Sequence, residues 1–243
     1  MLFEICIDSV EGAIAAQEGG ARRVELCDNL VEGGTTPSIG MIKLVRNKVE
    51  IGVNVIIRPR GGDFLYSDLE FEVMKLDIQA AKEAGADAVV FGLLNADGTI
   101  DKERTAELVA LSRPMPVTFH RAFDMTPDAF AALETLIELG VDRVLTSGQQ
   151  ETVAQGLSLL TELVKAAGNR IIVMPGGGSE HNVKQLVQAG VSEIHMTARS
   201  ILHSQMEFRR HNVFMGGPPM PDEFTLKRTD AEKIRKIREL IDA

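Results

Sequence analysis

The chain has 243 residues, of which 44% are hydrophobic and 25% charged, enough apolar material to bury a full core without a disulfide scaffold. A formal net charge of −9 argues against non-specific binding to nucleic acid or anionic membranes, which calls for dense basic patches. The amino terminus lacks a basic stretch followed by a long apolar run, so it does not read as a secretion signal. No apolar stretch approaches the ~20 residues needed to cross a bilayer. Two cysteines without such a signal point to the cytoplasm, where both are expected as thiols.

Along the chain, short β-branched runs alternate with amphipathic segments that often stop at glycine. Strands are expected at Phe3–Asp8, Arg23–Asp28, Val53–Arg60, Ala88–Leu94, Pro116–Phe123, Arg143–Ser147, Arg170–Met174 and Glu193–Thr197. A helix is expected after each of the first seven. The eighth is delayed: residues Ser200 to Lys227, with Gly216-Gly217-Pro218-Pro219, read as a long connection before a helix from Thr229 to Ile241. Connections of this length are usually lids or interface arms. Eight strand–helix units imply parallel strands with right-handed crossovers, and the count favours one α/β domain over residues 1–243, a (β/α)8 TIM barrel. Asp8-Ser9-Val10-Glu11-Gly12 stands where an open dinucleotide-binding sheet wants its glycine fingerprint, so that fold is disfavoured.

Strand residues alternate between barrel interior and helix layer. With Phe3, Ile5 and Ile7 facing helices, Glu4, Cys6 and Asp8 face inward. The same phase turns Arg23, Glu25 and Cys27 inward, then Asn54, Ile56, Arg58 and Arg60, then Thr118 and His120, and finally Glu193, His195 and Thr197. Such acids and bases must pair if buried, and Glu4 or Glu25 against Arg58 is the expected pairing. Structural ion pairs and a working site at the strand C-termini both remain open readings.

Cys6 and Cys27 end neighbouring strands, which lie ~4.8 Å apart in a parallel sheet. Two thiolates so placed can hold a soft ion such as Cu(I) nearly linearly, whereas two small buried thiols packing as hydrophobes is the plainer reading. Gly176, Gly177 and Gly178 follow the seventh strand, where barrels of this type commonly place backbone N–H groups against phosphate. His120 is a candidate for proton transfer, though a lone strand histidine is more often a hydrogen-bonded core residue. All lysines are expected on helices, in loops or in the tail, which disfavours Schiff-base chemistry.

Several strings taken together resemble the CutC copper homeostasis family: Glu4-Ile5-Cys6, Glu25-Leu26-Cys27, Glu32-Gly33-Gly34-Thr35-Thr36-Pro37-Ser38, Arg58-Pro59-Arg60-Gly61-Gly62-Asp63-Phe64, Thr118-Phe119-His120-Arg121-Ala122-Phe123-Asp124 and Val144-Leu145-Thr146-Ser147-Gly148. The resemblance runs from residue 2 to about residue 240. It implies a cytoplasmic barrel, a homo-oligomer (dimer or tetramer), with copper as Cu(I) bound at Cys6 and Cys27. Where some members carry another cysteine beside the first, this chain has Ile7. The alternative is an enzyme acting on a phosphorylated or carboxylated metabolite, with Glu25, Arg58, Arg60, His120 and Gly176 to Gly178 as ligand-binding residues. A third reading is self-association through the Ser200–Lys227 arm.

Overall fold

A computed structural model describes residues 1–210, 212–213 and 223–242. Eight parallel strands form one sheet: β1 (Leu2–Ile7), β2 (Arg23–Leu26), β3 (Gly52–Ile56), β4 (Ala88–Phe91), β5 (Val117–Phe119), β6 (Arg143–Thr146), β7 (Ile172–Pro175) and β8 (Glu193–Met196). Their spatial order is β7-β6-β5-β4-β3-β2-β1-β8. The gap between β7 and β8 is spanned by a parallel bridge from Gly176 to His195, and by the Gly177 and Gly178 N–H groups donating to the His195 carbonyl at 3.1 and 3.0 Å. The sheet is thereby curled into the expected TIM barrel.

Seven helices follow the first seven strands: α1 (Val10–Glu18), α2 (Ile39–Lys48), α3 (Asp68–Glu83), α4 (Lys102–Ser112), α5 (Ala129–Glu138), α6 (Leu157–Ala167) and α7 (Val183–Gln188). Ser9, Ser38, Ser67, Asp101 and Asp128 each accept a first-turn N–H, satisfying donors that a helix start otherwise leaves bare. The main core lies between sheet and helices, where Phe3, Ile5 and Ile7 pack outward with Val24 and Leu26.

Several strands end earlier than the sequence pattern suggests, β3 and β5 by the most. Past Ile57 the chain leaves β4 because Arg58 bonds its N–H and carbonyl to Thr36, so Arg58 and Arg60 lie on a loop rather than inside a strand. After Phe119 the chain turns into a 3-10 segment (Arg121–Met125), whose first turn is capped by the His120 ring accepting from Ala122 N–H.

The long connection also differs from the expectation. β9 (Arg199–His203) and β10 (Thr225–Thr229) form an antiparallel hairpin, and α8 (Ala231–Asp242) follows directly. Leu202 facing Leu226 and Ile201 facing Lys227 pair across it; cross-strand pairs of this kind hold a ribbon together. The Gly216 to Pro219 stretch lies outside the described residues. Lys227 therefore does sit on a strand, but on this exposed ribbon and not in the barrel.

Candidate functional site

The barrel interior is polar from floor to mouth. On the floor Arg23 donates to Glu4 at 2.6 Å and to Glu193 at 2.5 Å, and Arg143 donates twice to Glu193 at 2.5 and 3.1 Å. Asn54 donates to Glu4 at 2.9 Å and Arg143 to Thr118 at 3.2 Å. The expected pairing of Glu4 or Glu25 with Arg58 is not formed. Arg23 sits beside Glu4 in the β1–β2 register, whereas Arg58 lies beyond the strand and turns to other partners. Burial alone would raise the Glu4 carboxyl, but His195, Arg23 and Arg143 outweigh it and hold Glu4 down at about 2.

Above this floor stand Cys6, Glu25, Cys27 and His195. The two sulfurs are 3.7 Å apart, and Glu25 Oε2 lies 3.5 Å from the Cys27 sulfur. One ligand atom from each of Cys6, Glu25 and Cys27 falls within 4.8 Å of the others. His195 sets its Nδ1 at 2.9 Å from Glu4 and its Nε2 at 3.7 Å from Glu25. Gly34 completes the enclosure. A Cβ there would stand 3.2 Å from the Cys27 sulfur, and its φ of +96° also demands glycine.

The protonation pattern follows from these contacts. The bond from Cys27 outweighs burial and, with His195, draws Cys6 down to about 5. The same bond and burial push Cys27 well above the usual thiol range. The pair thus holds one proton between two sulfurs. Burial, with the charges on Cys6 and Glu4, pushes Glu25 up to about 8 against the pull of His195. For His195 burial is opposed by the carboxyls and by Cys6, and the ring is held protonated. Of its two carboxyl neighbours, the nearer Glu4 carries the negative charge and Glu25 keeps its proton. Arg23, Arg143 and His195 therefore balance Glu4, Glu193 and the shared thiolate, which is how so many ionic groups tolerate burial together.

A cavity of about 620 Å³ opens over this cluster, with Cys6, Glu25 and His195 in its base and Arg58, Phe64, His120, Arg121 and Gly176 to Gly178 in its walls. Cys27 lies behind Cys6, outside the lining. Arg60 is also outside it, turned away to donate to Glu70 at 2.5 Å and Asp63 at 3.0 Å. The three glycines line the cavity, but their N–H groups are committed: Gly176 to the Thr146 carbonyl, Gly177 and Gly178 to His195. They close the barrel instead of facing an anion.

Arg58 spends its terminal nitrogens on the carbonyls of Glu32, Gly34 and Gly62 at 2.7–2.8 Å. No lysine lines the cavity. His195, Glu4 and Arg121 joined the site without being singled out for it. Alternation alone turns His195 and Glu4 inward; what brings them together is the β1–β8 register that pairs them.

An eight-stranded parallel barrel with a buried dithiol at its mouth defines the class. The CutC family model matches residues 1–200, and the chain belongs to the CutC family. The chain is 54% identical to a mouse protein named copper homeostasis protein cutC homolog, over 97% of this chain and 88% of that one. The human homolog of the same name is 53% identical, over 97% and 87%. A solved CutC protein from Streptococcus agalactiae superposes with a TM-score of 0.77 at 39% identity, over 81% of this chain and 98% of that chain.

Proposed function

We propose that this protein binds Cu(I) as cargo at Cys6 and Cys27 and serves copper homeostasis in the cytoplasm. The observation that carries the reading is the sulfur pair 3.7 Å apart, whose surroundings favour one thiolate and one thiol with a single proton. Soft thiolates select Cu(I), and a monovalent ion replacing that one proton leaves the charge of the buried cluster unchanged. A divalent ion would need a second proton to leave, from Glu25. Half the sulfur separation is shorter than a metal–sulfur bond of ~2.3 Å. The nearly linear arrangement expected from sequence therefore gives way to an ion set off the sulfur–sulfur line, with a Glu25 oxygen within 4.8 Å of both sulfurs as a further donor. Met174 is not such a donor, because its sulfur accepts from Arg23 on the floor at 3.5 Å.

The one-proton exchange gives a direct test. Titration against a competing chelator should show affinity rising with pH, approaching about tenfold per pH unit while one proton is displaced. One proton per copper should also appear in weakly buffered solution. Affinity independent of pH would remove the dithiol as the site.

The alternative of an enzyme for phosphorylated or carboxylated metabolites loses its glycine cradle and Arg60 to bonds within the protein. For the expected homo-oligomer we assign the contact to β9 and the segment after it, where Ile201, Met206 and Phe208 are 60–69% exposed, more apolar side chain than solvent favours in one place. Ile201→Asp with Phe208→Asp should lower the mass seen in sedimentation. An unchanged mass would move the contact elsewhere.

A further inference from the structure

The copper site uses only the base of the cavity, and its wall holds two groups that copper does not explain. Arg58 is 5% exposed, and its terminal nitrogens donate to three backbone carbonyls. Among the described residues no carboxylate reaches it within ion-pair distance, although Glu25, Glu32 and Glu151 all line the same cavity. The buried cations on the floor, by contrast, each meet an acid. A buried charge left uncompensated is costly, and the open side of this one is the cavity, with Phe64 beneath it at 5.3 Å.

His120 stands beside it on the same wall, also 5% exposed. Its Nδ1 accepts from Ala122 N–H at 3.2 Å, and Gly92 makes room for that edge, since a Cβ there would stand 2.6 Å from Nδ1. Phe64 fixes the ring from another side, with centroids 5.0 Å apart. Burial and the Arg58 charge push the ring down to about 3, so it is neutral at physiological pH. With Nδ1 occupied as acceptor, the single proton sits on Nε2, and Nε2 has no partner among the described residues. His120 is therefore left with a buried, unused donor. It cannot act as the proton acceptor suggested by sequence while Ala122 holds its lone pair.

We propose that the barrel mouth is a binding site for a small molecule bearing an oxyanion, a carboxylate or phosphate group. Its oxygen is received by His120 Nε2–H and its charge is balanced by Arg58. A neutral histidine donor beside a fixed cation suits an anion better than a second cation, and about 620 Å³ is of the size that encloses a metabolite-sized ligand. Ile56, Leu145 and Val153 supply the apolar part of the lining. The anion site shares its cavity with Cys6 but uses neither sulfur.

The test is an NMR titration of the full chain, with 15N-labelled histidine, against inorganic phosphate and, separately, succinate. The expected result is a saturable shift of the His120 Nε2 resonance by one probe, which also identifies the class of anion. His120→Phe and Arg58→Met should each weaken that probe by about tenfold or more, as loss of a hydrogen bond or ion pair to a charged group does. If neither probe moves the resonance, or the shift never saturates, an ordered water or an adventitious ion only satisfies His120 and the proposal fails. The wild-type titration stands even if Arg58→Met does not fold.

Discussion

Cys6→Ser is expected to lower Cu(I) affinity by at least about a hundredfold, the upper range for loss of mere supporting contacts around a metal. Cys6 is the sulfur that reaches the cavity, and its thiolate is the charge that the ion must meet. Serine replaces it with a hard hydroxyl that stays protonated and offers copper little. Cys27→Ser should cost affinity too, but less, because Cys6 and Glu25 remain on the open side. Cys6→Ser also removes the thiolate that balances His195, so it should melt below wild type, whereas Cys27→Ser keeps that charge and should melt nearer to it. A chelator competition assay run on all three proteins checks the order. Equal affinity in wild type and Cys6→Ser would contradict it.

The largest loss of stability is expected from Glu4→Gln. Glu4 is fully buried and faces Arg23, Asn54 and His195 together. Removing one partner of a buried ion pair typically costs ~3–5 kcal/mol, since the other charge stays behind. For a chain of this size that lowers the melting temperature by roughly 6–20 °C. The pH dependence has a definite sign. Glu4 is held at about 2 in the fold against 4.5 for the unpaired group. Its contribution is therefore present above pH 4.5 and is lost as pH falls from there toward 2. Melting curves of the two proteins should lie far apart at neutral pH and converge in acid. A variant that melts like wild type at pH 7 would show that Arg23 and His195 find their compensation elsewhere.

The barrel was legible because its units repeat: each of the first seven β-branched runs is followed by a helix, five of them side-chain capped, and each bears its signal locally. The inward phase of Glu4, Cys6, Glu25 and Cys27 was legible for the same reason, and adjacency of β1 and β2 put the two thiols together. What the pattern could not carry was register and loop conformation. Arg58 and Arg60 continue the alternation of β3, yet backbone bonds to Thr36 pull the chain away and send the two side chains to different places. The glycines at 176–178 suit either an anion cradle or a barrel closure, and only the position of the His195 carbonyl decides between them. His195 comes to stand beside the Cys6–Glu25–Cys27 cluster through its pairing with Glu4, 191 residues away. The hairpin at 199–203 and 225–229 depends on two segments too short and too far apart to announce each other.

The most direct test of the central claim is X-ray absorption at the copper edge, on protein loaded with one equivalent of Cu(I). Two sulfur scatterers per copper, with both thiols protected from alkylation, is the expected result. A shell of nitrogen and oxygen alone, with Cys6 and Cys27 still reacting as free thiols, would place copper elsewhere and contradict the account.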